Sequence, residues 1–190
     1  RSHVKRSFKP YIIIKIKTME NPTLLQKAKA YAVKCHETTN HTYDGKPYEV
    51  HLFMVFNIAL ANIELIPFEN RETVLAACWT HDVIEDCRET YNDIASILGK
   101  DVAEIVYALS NEKGKTRKER ANDKYYEGIR SCKFAAFVKT CDRIANIQYS
   151  KDSGSKMFDK YISETPDFVH QLYSAEYSPL FLKMYNLINK

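Results

Sequence analysis

Four side chains able to ligate a metal stand in apolar helical text. His51 lies within Tyr48-Glu-Val-His-Leu-Phe-Met-Val55, the pair His81-Asp82 closes the apolar run Val74-Leu-Ala-Ala-Cys-Trp79, and Asp142 follows Phe134-Ala-Ala-Phe-Val-Lys-Thr-Cys141. Each has a plainer reading alone: a core histidine satisfied by a carbonyl, the polar tail of a buried helix, an aspartate paired with Arg143. Together they supply two imidazoles and two carboxylates. That mixed set suits Mn²⁺, Fe²⁺, Zn²⁺ or Ni²⁺ better than Ca²⁺. Adjacent helical residues lie about 100° apart, so His81 and Asp82 reach one ion only if it sits between two faces at a helix end. One turn on, Glu85 falls under His81 and Asp86 under Asp82. Carboxylates at a helix C-terminus oppose the dipole by about 0.3–1 kcal/mol each, an objection that a bound cation removes.

The elements that must position these residues read as helices. A first helix begins at Asn21-Pro22 and ends near His36, with Leu24, Ala28, Tyr31, Ala32 and Cys35 at helical spacing. Residues 41–47 form a loop turned by Asp44-Gly45. Helices follow over about 48–65 and 71–84, the latter apolar on most sides and therefore central. Thr90 with Asp93 caps a short helix closed by Gly99, and another runs from Asp101 to Leu109. The polar connection at 111–116 is the place for a short hairpin or lid. Helices over about 116–129 and 133–149 come next, then two more patterns broken by Pro166 and Pro179. Five glycines and six prolines in 190 residues leave little room for a turn-rich β fold. The expected class is all-α, a helical bundle.

Charge and cysteine usage narrow the setting. The net +4 comes from residues 1–18, which hold Arg1, Lys5, Arg6, Lys9, Lys15 and Lys17 and no acid; the rest has 22 basic against 24 acidic side chains. Met19 reads as an initiator, so 1–18 is expected to be a leader or cloning remnant and 19–190 a single domain. Its apolar stretch at 11–16 is far short of a membrane span. A slightly acidic body without a basic stripe argues against nucleic acid. Five cysteines, an odd number with no CxxC pair, point to free thiols in a reducing cytoplasm. Oligomeric state is left open.

The order histidine, His-Asp, distant aspartate resembles the HD phosphohydrolase superfamily. Gly45-Lys-Pro-Tyr48, His81-Asp-Val-Ile-Glu-Asp86 and Val138-Lys-Thr-Cys-Asp-Arg-Ile-Ala-Asn146 are similar to the hydrolase domain of the RelA/SpoT alarmone family, its small stand-alone members especially, over about residues 24–150. The resemblance implies an HD-domain helical bundle with His51, His81, Asp82 and Asp142 on the metal. It puts Glu85 and Asp86 beside the nucleophilic water and the leaving group, and Asn146 at the nucleoside. It implies release of pyrophosphate from the 3′ position of guanosine tetra- or pentaphosphate.

Two departures bear on the substrate. Thr42-Tyr43 stands where the bacterial family has an Arg-Lys pair, and Tyr149 where it has threonine. Arg117, Arg120 and Lys124 fall on one stripe that could replace the lost cations, and Tyr43 and Tyr149 could stack a base. The expected function is therefore a metal-dependent phosphohydrolase of a small phosphorylated nucleotide, guanosine 3′,5′-bis(diphosphate) first. The alternatives are a nucleotide phosphomonoesterase using the same centre and a non-catalytic nucleotide-binding module. The last has no need of both an intact ligand set and Glu85-Asp86.

Overall fold

The computed structural model describes residues 21–110 and 113–189. The expected leader lies outside the described residues, as do 111 and 112 of the expected hairpin. The chain runs α1 (Leu24–Thr38), β1 (Thr42–Tyr43), β2 (Lys46–Pro47), α2 (Glu49–Leu60), α3 (Arg71–Thr80), α4 (Val83–Cys87), α5 (Tyr91–Leu98) and α6 (Lys100–Leu109). It continues with α7 (Arg117–Arg120), α8 (Asp123–Ser131), α9 (Ala135–Asp152), α10 (Met157–Leu172) and α11 (Ser178–Ile188), so the all-α expectation holds. Among the described residues no helix is long and apolar enough to cross a membrane.

The central helix is α3, as its apolar sequence requires: residues 74–80 are all buried. It packs against α1, α2 and α6, while α2 and α11 pack on α9. Phe137 and Ile144 of α9 and Leu52 of α2 are wholly buried where these helices meet. The site residues of α2, the end of α3 and α9 thus converge because their apolar neighbours share one core.

Several expected boundaries move, each for a local reason. Thr23, not Asn21, caps α1: its hydroxyl accepts from the Gln26 amide while the Gln26 side chain accepts from the Thr23 amide, a two-bond box that Asn21 does not make. The helix expected over 71–84 stops at Thr80, the chain turns at His81-Asp82, and α4 begins at Val83. Glu85 and Asp86 therefore occupy the first turn of a short helix rather than the end of a long one, and the dipole objection disappears.

A hairpin forms at 42–47, where none was expected; of the expected one, the described residues 113–116 contain no strand. Thr42 pairs with Pro47 and Tyr43 with Lys46, closed by Asp44 (φ 51°) and Gly45 (φ 73°), the left-handed pair a two-residue turn needs. The helix expected over 116–129 splits, because the Asn122 side chain accepts from the Tyr125 amide and starts α8 afresh. Pro166 does not break α10. The helix runs through it with Tyr161, Thr165, Phe168 and Leu172 buried on one face, and that packing outweighs a penalty of about 3 kcal/mol. Pro179 starts α11, in the first turn where no amide donor is missed.

Candidate metal centre and active site

His81 caps the end of α3. Its Nδ1 lies 2.9 Å from the Cys78 carbonyl, an acceptor only, so Nδ1 carries the proton of the neutral ring and Nε2 is the atom left for a metal or a second proton. His51, in the first turn of α2, brings its own Nε2 to 3.3 Å from that atom. Asp82 Oδ2 lies 2.9 Å from His81 Nε2 and 3.6 Å from His51 Nε2. From α9, Asp142 Oδ1 lies 3.2 Å from His51 Nε2 and 3.7 Å from His81 Nε2. His51, His81 and Asp142 bring one ligand atom each within 4.8 Å of one another.

These separations fit a shared cation. Ligands about 2.1 Å from one ion, at octahedral or tetrahedral angles, stand roughly 3.0–3.4 Å apart. Two imidazole nitrogens and two carboxylate oxygens facing inward repel one another unless a proton or metal sits among them. In the metal-free protein protons take that part. Burial presses His81 toward neutrality, but Asp82 and Asp142 outweigh it and lift the imidazole to about 10. His51 is raised in the same way by the two carboxylates against burial. Asp82 and Asp142 are held well below the usual carboxylate range: burial opposes this, but His81 and His51 at Asp82, and Lys139 with both imidazoles at Asp142, prevail.

A second layer orients the four. The Tyr48 hydroxyl donates to Asp82 Oδ2 at 2.6 Å. Asp142 is held by Lys139 Nζ at 2.9 Å and by Asn146 Nδ2 at 2.6 Å, both on its own helix. Arg143, which the plainer reading of Asp142 would pair with it, bonds Glu164 at 2.8 Å. The Tyr43 hydroxyl donates to Asn146 Oδ1 at 2.9 Å, and its ring stacks on His51 with centroids 4.8 Å apart. Tyr149 donates to Asp44 at 2.8 Å and accepts from Lys46 at 3.1 Å, tying the hairpin to α9.

Above the cluster opens a cavity of about 610 Å³, lined by His51, Asp82, Glu85, Asp86, Asp142 and Asn146 on one side and by Arg117, Lys118 and Arg120 on the other. Asp86 is pushed up to about 7, first by burial and then by Asp82 and Glu85. The expected cationic stripe divides. Arg117 Nε lies 3.0 Å from Glu164 and its guanidinium rests over Tyr161. Arg120 Nε is buried with no hydrogen-bond partner among the described residues. Lys124, carried off by the break before α8, lines a different cavity. Sequence reasoning missed Tyr48, Lys139, Tyr161 and Glu164. Tyr48 and Lys139 each stand three residues before a candidate ligand, a spacing that could have flagged them; nothing in the sequence brings residues 161 and 164 to this wall.

Residues 28–172 match a family model described as an HD domain. The chain belongs to the HD domain family. It is 27% identical over 119 residues to the guanosine-3′,5′-bis(diphosphate) 3′-pyrophosphohydrolase MESH1 of Danio rerio, covering 62% of this chain and 64% of that protein. It is 40% identical over 86 residues to the bifunctional (p)ppGpp synthase/hydrolase SpoT of Escherichia coli strain K12, covering 45% of this chain and 11% of that one. The chain thus spans less than two thirds of the length of both relatives. A solved structure of a metazoan ortholog of SpoT that hydrolyzes ppGpp aligns with a TM-score of 0.70 over 90% of this chain and 97% of that one, at 21% identity. This HD domain therefore shares that protein's fold.

Proposed function

We propose that this HD domain is a divalent-metal-dependent phosphohydrolase of phosphorylated nucleotides, with guanosine 3′,5′-bis(diphosphate) as its first substrate and pyrophosphate as the product. What supports this is the convergence of His51, His81 and Asp142, with Asp82 Oδ2 2.9 Å from His81 Nε2, beside a cavity lined by Glu85, Asp86, Arg117, Lys118 and Arg120. The two relatives named for ppGpp chemistry supply the substrate. Mn²⁺ is the first candidate metal, on the mixed nitrogen and oxygen donors.

A divalent ion on these four ligands would supply an activated water and polarise a phosphoryl oxygen. The chain's own groups do the rest. The Cys78 carbonyl fixes the His81 tautomer, and Tyr48, Lys139 and Asn146 hold the two carboxylates in place. Asp86, near 7, exchanges a proton at neutral pH with the attacking water or the leaving oxygen, and Glu85 shares that side of the cavity. Asn146 faces the nucleoside, with Tyr43 steadying its amide. Arg120 receives a phosphate, while Arg117, already committed to Glu164, shapes the wall. The buried free thiols of Cys35, Cys78, Cys87 and Cys141 suit a reducing cytoplasm.

One observation favours the phosphomonoesterase reading. Tyr43, at a sequence position where the bacterial family has a cation, stacks an uncharged ring on His51, which suits a nucleotide with fewer phosphates. A panel of nucleotides with Mn²⁺, scored separately for phosphate and pyrophosphate, decides between them. Pyrophosphate from the tetraphosphate supports the proposal, phosphate alone supports the second reading, and no release from any nucleotide refutes both.

A further inference from the structure

Two imidazoles beside the site lie outside the proposed ligand set. His36, buried near the end of α1, and His41, just before β1, face each other with their Nδ1 atoms 3.1 Å apart. Both rings lie against the face of Tyr48, at centroid distances of 4.1 and 4.2 Å and interplanar angles of 18° and 26°. The ring of Tyr48 thus packs against both histidines while its hydroxyl holds Asp82. His41 Nδ1 also lies 3.5 Å from Asp86 Oδ2. Asp86 lines the cavity and His41 does not, so the imidazole stands behind the carboxyl.

The other groups around that carboxyl are Asp82 and Glu85, which repel it, and His81 and Tyr48, which draw it toward the ligand cluster. His41 is the contact on the far side. It is itself fixed by ring stacking against Tyr48 and His36, which leaves its Nδ1 proton for the Asp86 carboxylate. A brace that is held this way can hold Asp86 at one rotamer.

We propose that His41 is a positioning residue for Asp86, held in place by His36 and Tyr48 and keeping the Asp86 carboxyl aimed into the cavity. The proposal rests on the reading of Asp86 as the proton-transfer group. Among the described residues no hydrogen bond, ion pair or ring contact joins His41 to a proposed metal ligand, and it does not line the cavity, so its loss should lower kcat while leaving KM and metal content alone. Asparagine places a side-chain nitrogen near the position of Nδ1 and should restore most of the function.

The test is a double-mutant cycle on Mn²⁺-loaded protein with guanosine tetraphosphate as the probe. His41→Ala is expected to lower kcat about tenfold, within the coupling seen for contacting side chains, with KM unchanged. His41→Asn should stay within about threefold of wild type. In an Asp86→Asn background His41→Ala should cost less than about twofold more, because the group it positions is already gone. Independent, multiplying losses in the double variant, or His41→Asn as impaired as His41→Ala, would overturn the proposal. So would a wild-type rate for His41→Ala beside a slow Asp86→Asn. A wild-type rate for Asp86→Asn itself would instead remove the reading of Asp86 on which the proposal rests. Melting temperature separates a folding defect: a drop in His41→Ala that His41→Asn shares, with kcat restored in the latter, still supports positioning.

Discussion

Replacing Arg120 and Arg117 one at a time should have unequal effects, because the two cations differ in what they already hold. Arg120 has a buried Nε without a partner among the described residues, so a substrate phosphate would satisfy a donor that is otherwise a liability. A hydrogen bond to a charged group contributes about 1.5–3 kcal/mol. At 1.4 kcal/mol per tenfold, Arg120→Ala should raise KM roughly 10- to 150-fold. Arg117 is 3.0 Å from Glu164, and Arg143 shares the same carboxylate at 2.8 Å. Its charge is largely neutralised in place, and Arg117→Ala leaves Glu164 still paired with Arg143. A half-exposed ion pair of this kind contributes up to about 1 kcal/mol, so KM should rise less than about fivefold. The assay is initial-rate kinetics with guanosine tetraphosphate and Mn²⁺ at low and high salt. The Arg120→Ala penalty should shrink as salt screens the interaction in the wild type, with kcat changing little. A KM effect of Arg117→Ala equal to or larger than that of Arg120→Ala would refute the division of roles.

Three further outcomes are expected. Glu85→Gln and Asp86→Asn should keep their metal yet slow turnover by about 10²-fold or more, read as kcat beside metal analysis; full activity in both would reduce the pair to a solvated helix turn. Thr42→Arg should return a cation to the exposed edge of the hairpin and lower KM for the tetraphosphate by about two- to fivefold, whereas no change in KM would place that strand away from the phosphates. The third concerns pH. In the metal-free protein His81 is raised to about 10, so its stabilising share is full below about pH 6.5 and fades as pH climbs toward that value. Asp82 and Asp142 are depressed, and their share is present above about pH 4 and lost as pH falls further. The metal-free protein should therefore melt highest between about pH 4 and 6.5, whereas Mn²⁺, which must displace the histidine protons, should raise Tm more at pH 8 than at pH 6. Thermal scans with and without Mn²⁺ check this, and a metal-induced shift indifferent to pH would contradict it.

What was legible in the sequence follows from range. The Thr90 and Asp93 cap, the Gly99 stop and the apolar helix ahead of His81 depend on neighbours a few residues apart, and they read correctly. The turn at His81-Asp82 did not, because nothing in the helical pattern stops at Thr80; the two side chains reach one point only because the helix ends there. The split at Asn122 was written in a capping residue that a continuous charge pattern concealed. The candidate ligands were visible as polar residues set in apolar text. The bond of Arg143 to Glu164, the clasp of Arg117 by the same carboxylate and the reach of Tyr43 to Asn146 join residues from 21 to 103 positions apart in the chain, which no local pattern encodes.

The central claim is that His51, His81, Asp82 and Asp142 hold one divalent ion, and metal-binding stoichiometry tests it most directly. Metal-stripped wild-type protein and an Asp82→Ala variant, each checked for an unchanged helical signal, are titrated with Mn²⁺ and the bound metal is measured. The account predicts one ion per wild-type chain, with affinity lost at least about tenfold in the variant, the scale of removing a direct ligand or its fixed partner. Equal Mn²⁺ content and affinity in the two proteins would contradict it.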